Sequence, residues 1–262
     1  MCTVVILRRP GHDWPLIFAA NRAEMNDRPR RGPGRHWPDR SHVRAGLDEL
    51  AGGTWLGIND DGVIAGVLNR PGSLGPDPDL RSRGELPLEA LDHAEAEAAA
   101  EALSMIEPTS FRPFNLAVAD ARKAFWLCSR GDGEAVQAAP IPDGLSMITA
   151  LDMNDQASPR IRRFKPRFEA APPPDPETGD WAQWQALMAS RESGSGTGGD
   201  NGHPIDPGDT MTFGTEEGFA TVSSSLMALP APGRTKEGAL ARPQWLFAPG
   251  PPDKAPYGPV QP

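Results

Sequence analysis

Apolar residues along this chain fall into short blocks of two kinds. Runs rich in β-branched and aliphatic residues, bounded by turn formers, predict strands over 2–8, 16–21, 43–47, 54–59, 63–68, 114–120, 124–129 and 219–228, with an edge strand at 245–248. Connectors such as "RRPGHDWP" after the first strand, "NDDG" at 59–62 and "DARK" at 120–123 are short. Connections of that length close hairpins and meanders, so the sheets should be mostly antiparallel. Helical patterning lies between these blocks. "GELPLEALDHAEAEAAAEALSMI" places Leu88, Leu91, Ala98, Ala102, Leu103 and Ile106 on one side of a helix, and shorter helices are expected over 159–168 and 181–190. Strands, helices, then more strands describe an α+β layered fold.

Proline and glycine change the picture in the connections. The 262 residues include 30 Pro and 28 Gly, concentrated in connectors and in the last third, which predicts short elements joined by long loops. "APPPDPETGD" and "RESGSGTGGDNGHPIDPGD" hold few residues able to bury anything, and they are read as an insertion over about 170–210. The Pro-rich tail, about 249–262, should lie along the surface. The whole chain, 1–262, is then expected to be a single domain.

Charge narrows the partners. With 26 Lys+Arg against 35 Asp+Glu the net charge is -9, which argues against nucleic acid as a partner. "RPRRGPGRHWPDR" is locally basic through Arg28, Arg30, Arg31, Arg35 and Arg40, and reads as a solvated loop. No run approaches the ~18 apolar residues of a membrane span. "TVVIL" is too short for a signal-peptide core, and Cys2 and Cys128 form neither a disulfide framework nor a metal knuckle. A cytoplasmic protein with free thiols, no metal site and no membrane span is expected.

The placement of Cys2 is the first chemical signal. Methionine ahead of a small residue is readily trimmed, which would leave cysteine as the first residue. Its thiol would then sit beside an α-amine whose ordinary pKa is about 7.7–8.0. The thiolate is the reactive form of cysteine, and an N-terminal amine is an established base for such nucleophiles. An ordinary small residue is the other reading of Cys2.

"MCTVVI", "AANRAEMNDRP", "GGTWLGIN", "RGEL" and "FNLAVAD", in this order and at these separations, resemble the NRDE family of transport and Golgi organisation 2-like proteins, named for its Asn-Arg-Asp-Glu signature. The likeness covers about residues 1–170, and weakly the strand at 219–229. That family in turn resembles the N-terminal nucleophile (Ntn) hydrolases of the cholylglycine and penicillin acylase type, which begin at Cys behind a removed Met and cleave linear amides. The resemblance implies a four-layer αββα sandwich. It also implies Cys2 as nucleophile, Asn21 as donor to an oxyanion, and Arg22 as the residue that steadies the thiol or binds a carboxylate. Gly53, Thr54 and Trp55 would form a pocket wall, Asn69 and Asn115 would face the cleft, and Thr149 or Asn154 would stand where relatives carry Asn. There are departures from the pattern. Ala23 replaces the Asp of the signature, Glu24 beside it should face away, and Val222 with Ser223, Ser224 and Ser225 occupies a place where an Arg is expected.

Two functions follow as expectations. One is hydrolysis of a linear amide or thioester of a small molecule, with no cofactor required. The alternative is a non-catalytic haem or acyl-lipid binding or trafficking protein, with haem as the group held. His12, His36, His42, His93 and His203 stand in no CxxCH motif, and neither cysteine precedes Pro.

Overall fold

The computed structural model describes residues 2–75, 77–193, 208–236 and 239–261. The chain runs through β1 (Thr3–Arg8), β2 (Leu16–Met25), β3 (Arg30–Gly34), β4 (Val43–Asp48), β5 (Leu56–Asn59) and β6 (Ile64–Asn69), then α1 (Glu85–Leu91) and α2 (Ala96–Ser104). Next come β7 (Phe114–Ala119), β8 (Ala124–Ser129), β9 (Gln137–Pro140), β10 (Gly144–Ile148), α3 (Pro159–Ala170) and α4 (Ala182–Met188). It closes with β11 (Phe219–Leu229), the small pair β12 (Thr235–Lys236) and β13 (Ala239–Leu240), β14 (Gln244–Ala248) and β15 (Gly258–Pro259). One sheet has the order β10-β1-β2-β11-β14-β15 and the other β3-β4-β5-β6-β7-β8-β9. All ladders between these strands are antiparallel, as the short connectors predict.

Three apolar layers hold the sheets and helices together. Val4, Ile6, Leu16 and Phe18 of the first sheet meet Leu56, Ile64, Leu68 and Trp126 of the second. On the outer face of the first sheet, Val5, Ile17, Ala19 and Leu226 pack on Ile161, Phe164, Phe168 and Trp184 of α3 and α4. On the outer face of the second, Val43, Ala65, Leu116 and Val118 pack on Leu86, Leu91, Ala99 and Leu103 of α1 and α2. The result is the αββα sandwich. β1 is covered on both faces, which is why "TVVIL" is continuously apolar rather than alternating. Each aliphatic side chain so buried contributes about 1.5–3 kcal/mol.

The single helix expected over residues 84–106 is two helices, with Asp92 to Glu95 between them. Side chains from the sheet take both broken ends. Asn59 Nδ2 donates to the carbonyls of Leu91 (2.9 Å) and His93 (2.7 Å), and Asp120 Oδ2 accepts from Ala96 N at 2.9 Å. The break resets the phase. Ala98 and Ala102, expected in the core, are exposed, while Ala96, Ala99, Ala100 and Leu103 are buried.

The basic stretch read as a solvated loop contains edge strand β3, and four of its five arginines are ion-paired, while Arg30 donates to the carbonyls of Asn26 and Arg28. Arg28 meets Asp48 at 2.7 Å, Arg31 meets Glu49 at 2.6 Å, Arg35 meets Asp60 at 2.7 Å and Arg40 meets Asp92 at 3.0 Å. α4 lies within the stretch read as an insertion, and Trp181 and Trp184 on either side of its start are buried. Residues 194–207 lie outside the described residues. From the Pro-rich tail, β15 pairs with β14, and the Tyr257 hydroxyl lies 2.6 Å from Ser224 Oγ. No described helix is long and apolar enough to cross a membrane.

Candidate active site

Strand alternation decides what residue 2 meets. In β1 and β2 the even-numbered residues face the space between the sheets and the odd-numbered ones face α3 and α4. Cys2 packs on the inner side, and Arg22 reaches the second sheet's Trp55. Thr3 and Asn21, paired across the ladder, belong to the outer side. β11 runs along the other edge of β2 with a register shift between Thr221 and Ser223, leaving Val222 as an extra residue opposite the Arg22–Ala23 step. Such bulges bend a strand locally and recur beside active sites. Past the bulge, Ser223 and Ser225 border the same small cavity as Cys2.

Cys2 touches residue 23 through its backbone. Ala23 N donates to Cys2 Sγ at 3.3 Å, and the thiol lies 3.7 Å from Ala23 O. Neither contact depends on the side chain that the signature's Asp would supply. The Arg22 guanidinium lies 3.9 Å from the centroid of the Trp55 ring, which in turn covers Gly46 so closely that any Cβ there would overlap it. Arg22 Nη2 is 3.5 Å from Asp48 Oδ2 and 3.6 Å from Glu24 Oε2. Arg22 Nη1 is buried without a hydrogen bond among the described residues. Burial lowers the pKa of this guanidinium from its ordinary value, while Glu24, Cys2 and Asp48 oppose that shift. Glu24, expected to face away, therefore stands on the side of Arg22.

In front of these groups opens a cleft of about 780 Å³, bordered by Cys2, Arg22, Glu24, Trp55, Asn69 and Arg83. Its volume suits a small organic molecule. Met25, Leu74, Leu80 and Phe219 give it an apolar border, and Met25 and Leu74 are 38% and 52% exposed. A second cavity of about 20 Å³ lies between Cys2, Arg22, Trp55, Ser223 and Ser225, room for about one water molecule.

The other predicted residues divide. Thr54, Trp55 and Asn69 border the cleft. Thr54 spends its hydroxyl on Leu56 O at 3.1 Å, whereas the Asn69 side chain has no hydrogen bond among the described residues. Gly53 approaches another backbone rather than a ligand, since a Cβ on it would lie 2.5 Å from the carbonyl carbon of Gly84. Asn21 is not delivered to the cleft. It faces outward, and its Nδ2 donates to Met188 O and Met211 O, both at 2.9 Å, leaving Oδ1 buried and without a partner among the described residues. Thr149 also faces outward and donates to Ser158 Oγ at 3.2 Å, at the start of α3. Asn154, with φ of 59°, binds the edge of β10 through Met147 N at 2.9 Å. Asn115 has every polar atom engaged: Oδ1 accepts from Arg70 (2.8 Å) and Trp126 (3.1 Å), and Nδ2 donates to Thr149 O (2.9 Å) and Leu151 O (2.8 Å). It ties the two sheets together instead of facing the cleft. Arg81, Arg83 and Arg112, which border the cleft, were not among the predicted residues, although Arg83 opens the "RGEL" motif.

The family model described as Transport and Golgi organisation 2 matches residues 1–189. The Transport and Golgi organization protein 2 homolog of Bos taurus is 36% identical over 148 residues, 51% of this chain and 50% of that protein. The Homo sapiens homolog is 33% identical over 148 residues, with the same shares covered. The chain thus spans about half the length of the curated relatives it matches. Among solved structures, the Caenorhabditis elegans N-acylethanolamine-hydrolyzing acid amidase ortholog is similar with a TM-score of 0.52 and 14% identity, over 88% of this chain and 94% of that one. Penicillin V acylase from Agrobacterium tumefaciens gives a TM-score of 0.51 and 14% identity, over 95% of this chain and 83% of that one. These two likenesses establish the fold as that of the Ntn hydrolases.

Proposed function

This chain belongs to the Transport and Golgi organisation 2 family, and from that premise we propose that it is an N-terminal cysteine hydrolase of linear amides or thioesters. The observation that carries the reading is the thiol of Cys2 bordering a cleft of about 780 Å³ beside Arg22, a buried arginine with an unpaired donor. The fold neighbours are named for an amidase and an acylase, and amide cleavage is carried from them to this chain as part of the proposal.

Removal of Met1 would place an α-amine on the carbon that bears the thiol. The amine takes the thiol proton, and the thiolate sulfur attacks the acyl carbonyl carbon, forming an S–C bond and an oxyanion. With Asn21 turned outward, the donors on the side of Cys2 are Ala23 N, Arg22 Nη1 and the hydroxyls of Ser223 and Ser225. Collapse of the oxyanion breaks the C–N bond of an amide, or the C–S bond of a thioester. The amine's proton passes to the leaving group, and the acyl group stays on Cys2. Water then attacks that thioester and gives its proton to the amine, the S–C bond breaks, and the carboxylic acid leaves.

Intact mass spectrometry tests the proposal. The mature chain should lack Met1, and a dodecanoyl p-nitrophenyl ester should add one acyl group at residue 2, with no adduct in Cys2→Ala. Retained Met1, or an adduct that persists in Cys2→Ala, overturns it. The haem alternative draws no support from the lining. None of His12, His36, His42 and His93 borders the cleft, and His203 lies outside the described residues.

A further inference from the structure

The cations around the cleft are not equally partnered. Arg28 meets Asp48 at 2.7 Å, Arg112 meets Asp77 at 3.3 Å, and Arg81 meets Glu85 at 2.7 Å and Glu89 at 2.5 Å. Arg22 shares Asp48 and Glu24. Arg83 has no carboxylate within ion-pair distance among the described residues. Its Nη1 donates instead to neutral groups, Ser73 Oγ at 2.6 Å and Pro113 O at 3.1 Å. Those bonds anchor one nitrogen and leave Nε and Nη2, the other edge of the planar guanidinium, without a hydrogen bond among the described residues. An arginine edge of this kind matches the two oxygens of a carboxylate.

Arg83 is half-buried at the border of the cleft. Burial, followed by the neighbouring Arg112, lowers the Arg83 pKa to about 10, while Cys2 and Glu24 oppose the shift. The guanidinium still carries its charge at neutral pH, and it borders the same cleft as Cys2. A half-buried cation with no carboxylate beside it among the described residues, its free edge on the cleft, offers a place for an anion brought by a ligand. Leu74 and Leu80, from the segment just before Arg83, supply apolar surface on the same cleft.

We propose that Arg83 is the anion-binding residue of this cleft, and that the molecule held there is an acyl compound carrying a carboxylate, of the N-acyl amino acid class. The acyl chain lies on the apolar border, the carboxylate takes the free edge of Arg83, and the scissile carbonyl comes to Cys2. The substrate assignment rests on the hydrolase reading; the anion site itself does not.

Calorimetric titration of the unreactive Cys2→Ala protein separates the two. N-dodecanoylglycine should bind, and its methyl ester should bind about tenfold or more weakly, the expected loss of a charged hydrogen-bonded pair. Arg83→Gln, verified as folded by circular dichroism, should remove the difference between acid and ester, and Arg83→Lys should keep part of it. Equal binding of acid and ester to the protein with Arg83 intact overturns the proposal without any variant at that position. Tight binding of dodecyl phosphate in place of the acylglycine overturns the carboxylate assignment. An acid-over-ester preference with no turnover by the protein that retains Cys2 supports the anion site and overturns the acyl amino acid as substrate. Turnover of acid and ester alike does the reverse.

Discussion

The two faces of the β1–β2 pair carry polar residues one position apart and treat them in opposite ways. On the outer face, Thr3 accepts from Arg160 at 2.6 Å, Asn21 joins the ends of two segments through Met188 O and Met211 O, and Thr149 reaches Ser158. On the inner face, among the described residues, the Cys2 thiol hydrogen-bonds to the backbone of Ala23 alone, and Arg22 keeps Nη1 unpaired. A buried donor without an acceptor costs about 1–3 kcal/mol. Where that cost falls on a guanidinium nitrogen bordering a cleft next to a thiol, a ligand is the missing partner. Thr3 and Asn21 tie the outer face to its neighbouring segments, whereas Arg22 on the inner face is left with a donor for the cleft.

Cys2→Ala should give the largest effect and the cleanest separation, removing acyl-adduct formation and lowering turnover by about 10³-fold or more. Its urea midpoint should stay within about 0.5 kcal/mol of the parent. A parent-like adduct yield breaks the contrast from the inner side. Asn21→Ala should act the other way, costing about 2–4 kcal/mol in urea unfolding because two buried carbonyls lose their donor. Turnover of the folded fraction should be unchanged, and a stable but inactive protein would return Asn21 to the chemistry. Thr149→Val removes a single hydroxyl pair and should cost about 1 kcal/mol without altering turnover.

The smallest expected effect is a pH dependence beside Asn115. Burial pushes the Asp152 carboxyl up, but Arg130 and Arg70, at 2.6 and 2.8 Å, hold it below its ordinary value. A depressed carboxyl adds stability above its unfolded value, about 3.9, and loses it as pH falls through the lower folded value. Urea midpoints compared at about pH 6 and about pH 3 should therefore fall less in Asp152→Asn than in the parent.

Much of the architecture was legible because the central strands are buried on both faces and so read as apolar runs. β3 and β9 were not, since "RRGPG" and "QAAP" are edge strands held by pairing more than by side-chain burial. β10, "GLSMI", carries a Gly and a Ser in a stretch too short to alternate visibly. For the site, the pair Cys2 and Arg22 was legible from the hairpin. The parity was not, because β2 seemed to end at Asn21. Its continuation to Met25 sends Arg22 and Glu24 to the face of Cys2 and Asn21 to the helices. Arg83 escaped for a different reason. The cleft is assembled from β2, the segment before α1 and the approach to β11, and no local periodicity reports a surface shared by segments so far apart.

The contact between Gly53 and Gly84 now takes on a metric meaning. Thr54 N donates to Gly84 O at 2.9 Å, and a Cβ on Gly53 would lie 2.5 Å from Gly84 C, so the two chains touch backbone to backbone. One chain carries Trp55, on which Arg22 rests, and the other carries Arg83. With no side chain between them to compress or swing, the span between these two backbones at the cleft is set. A ligand tethered at Arg83 would present its carbonyl to Cys2 only when the number of bonds between carboxylate and carbonyl matches the distance between those two residues.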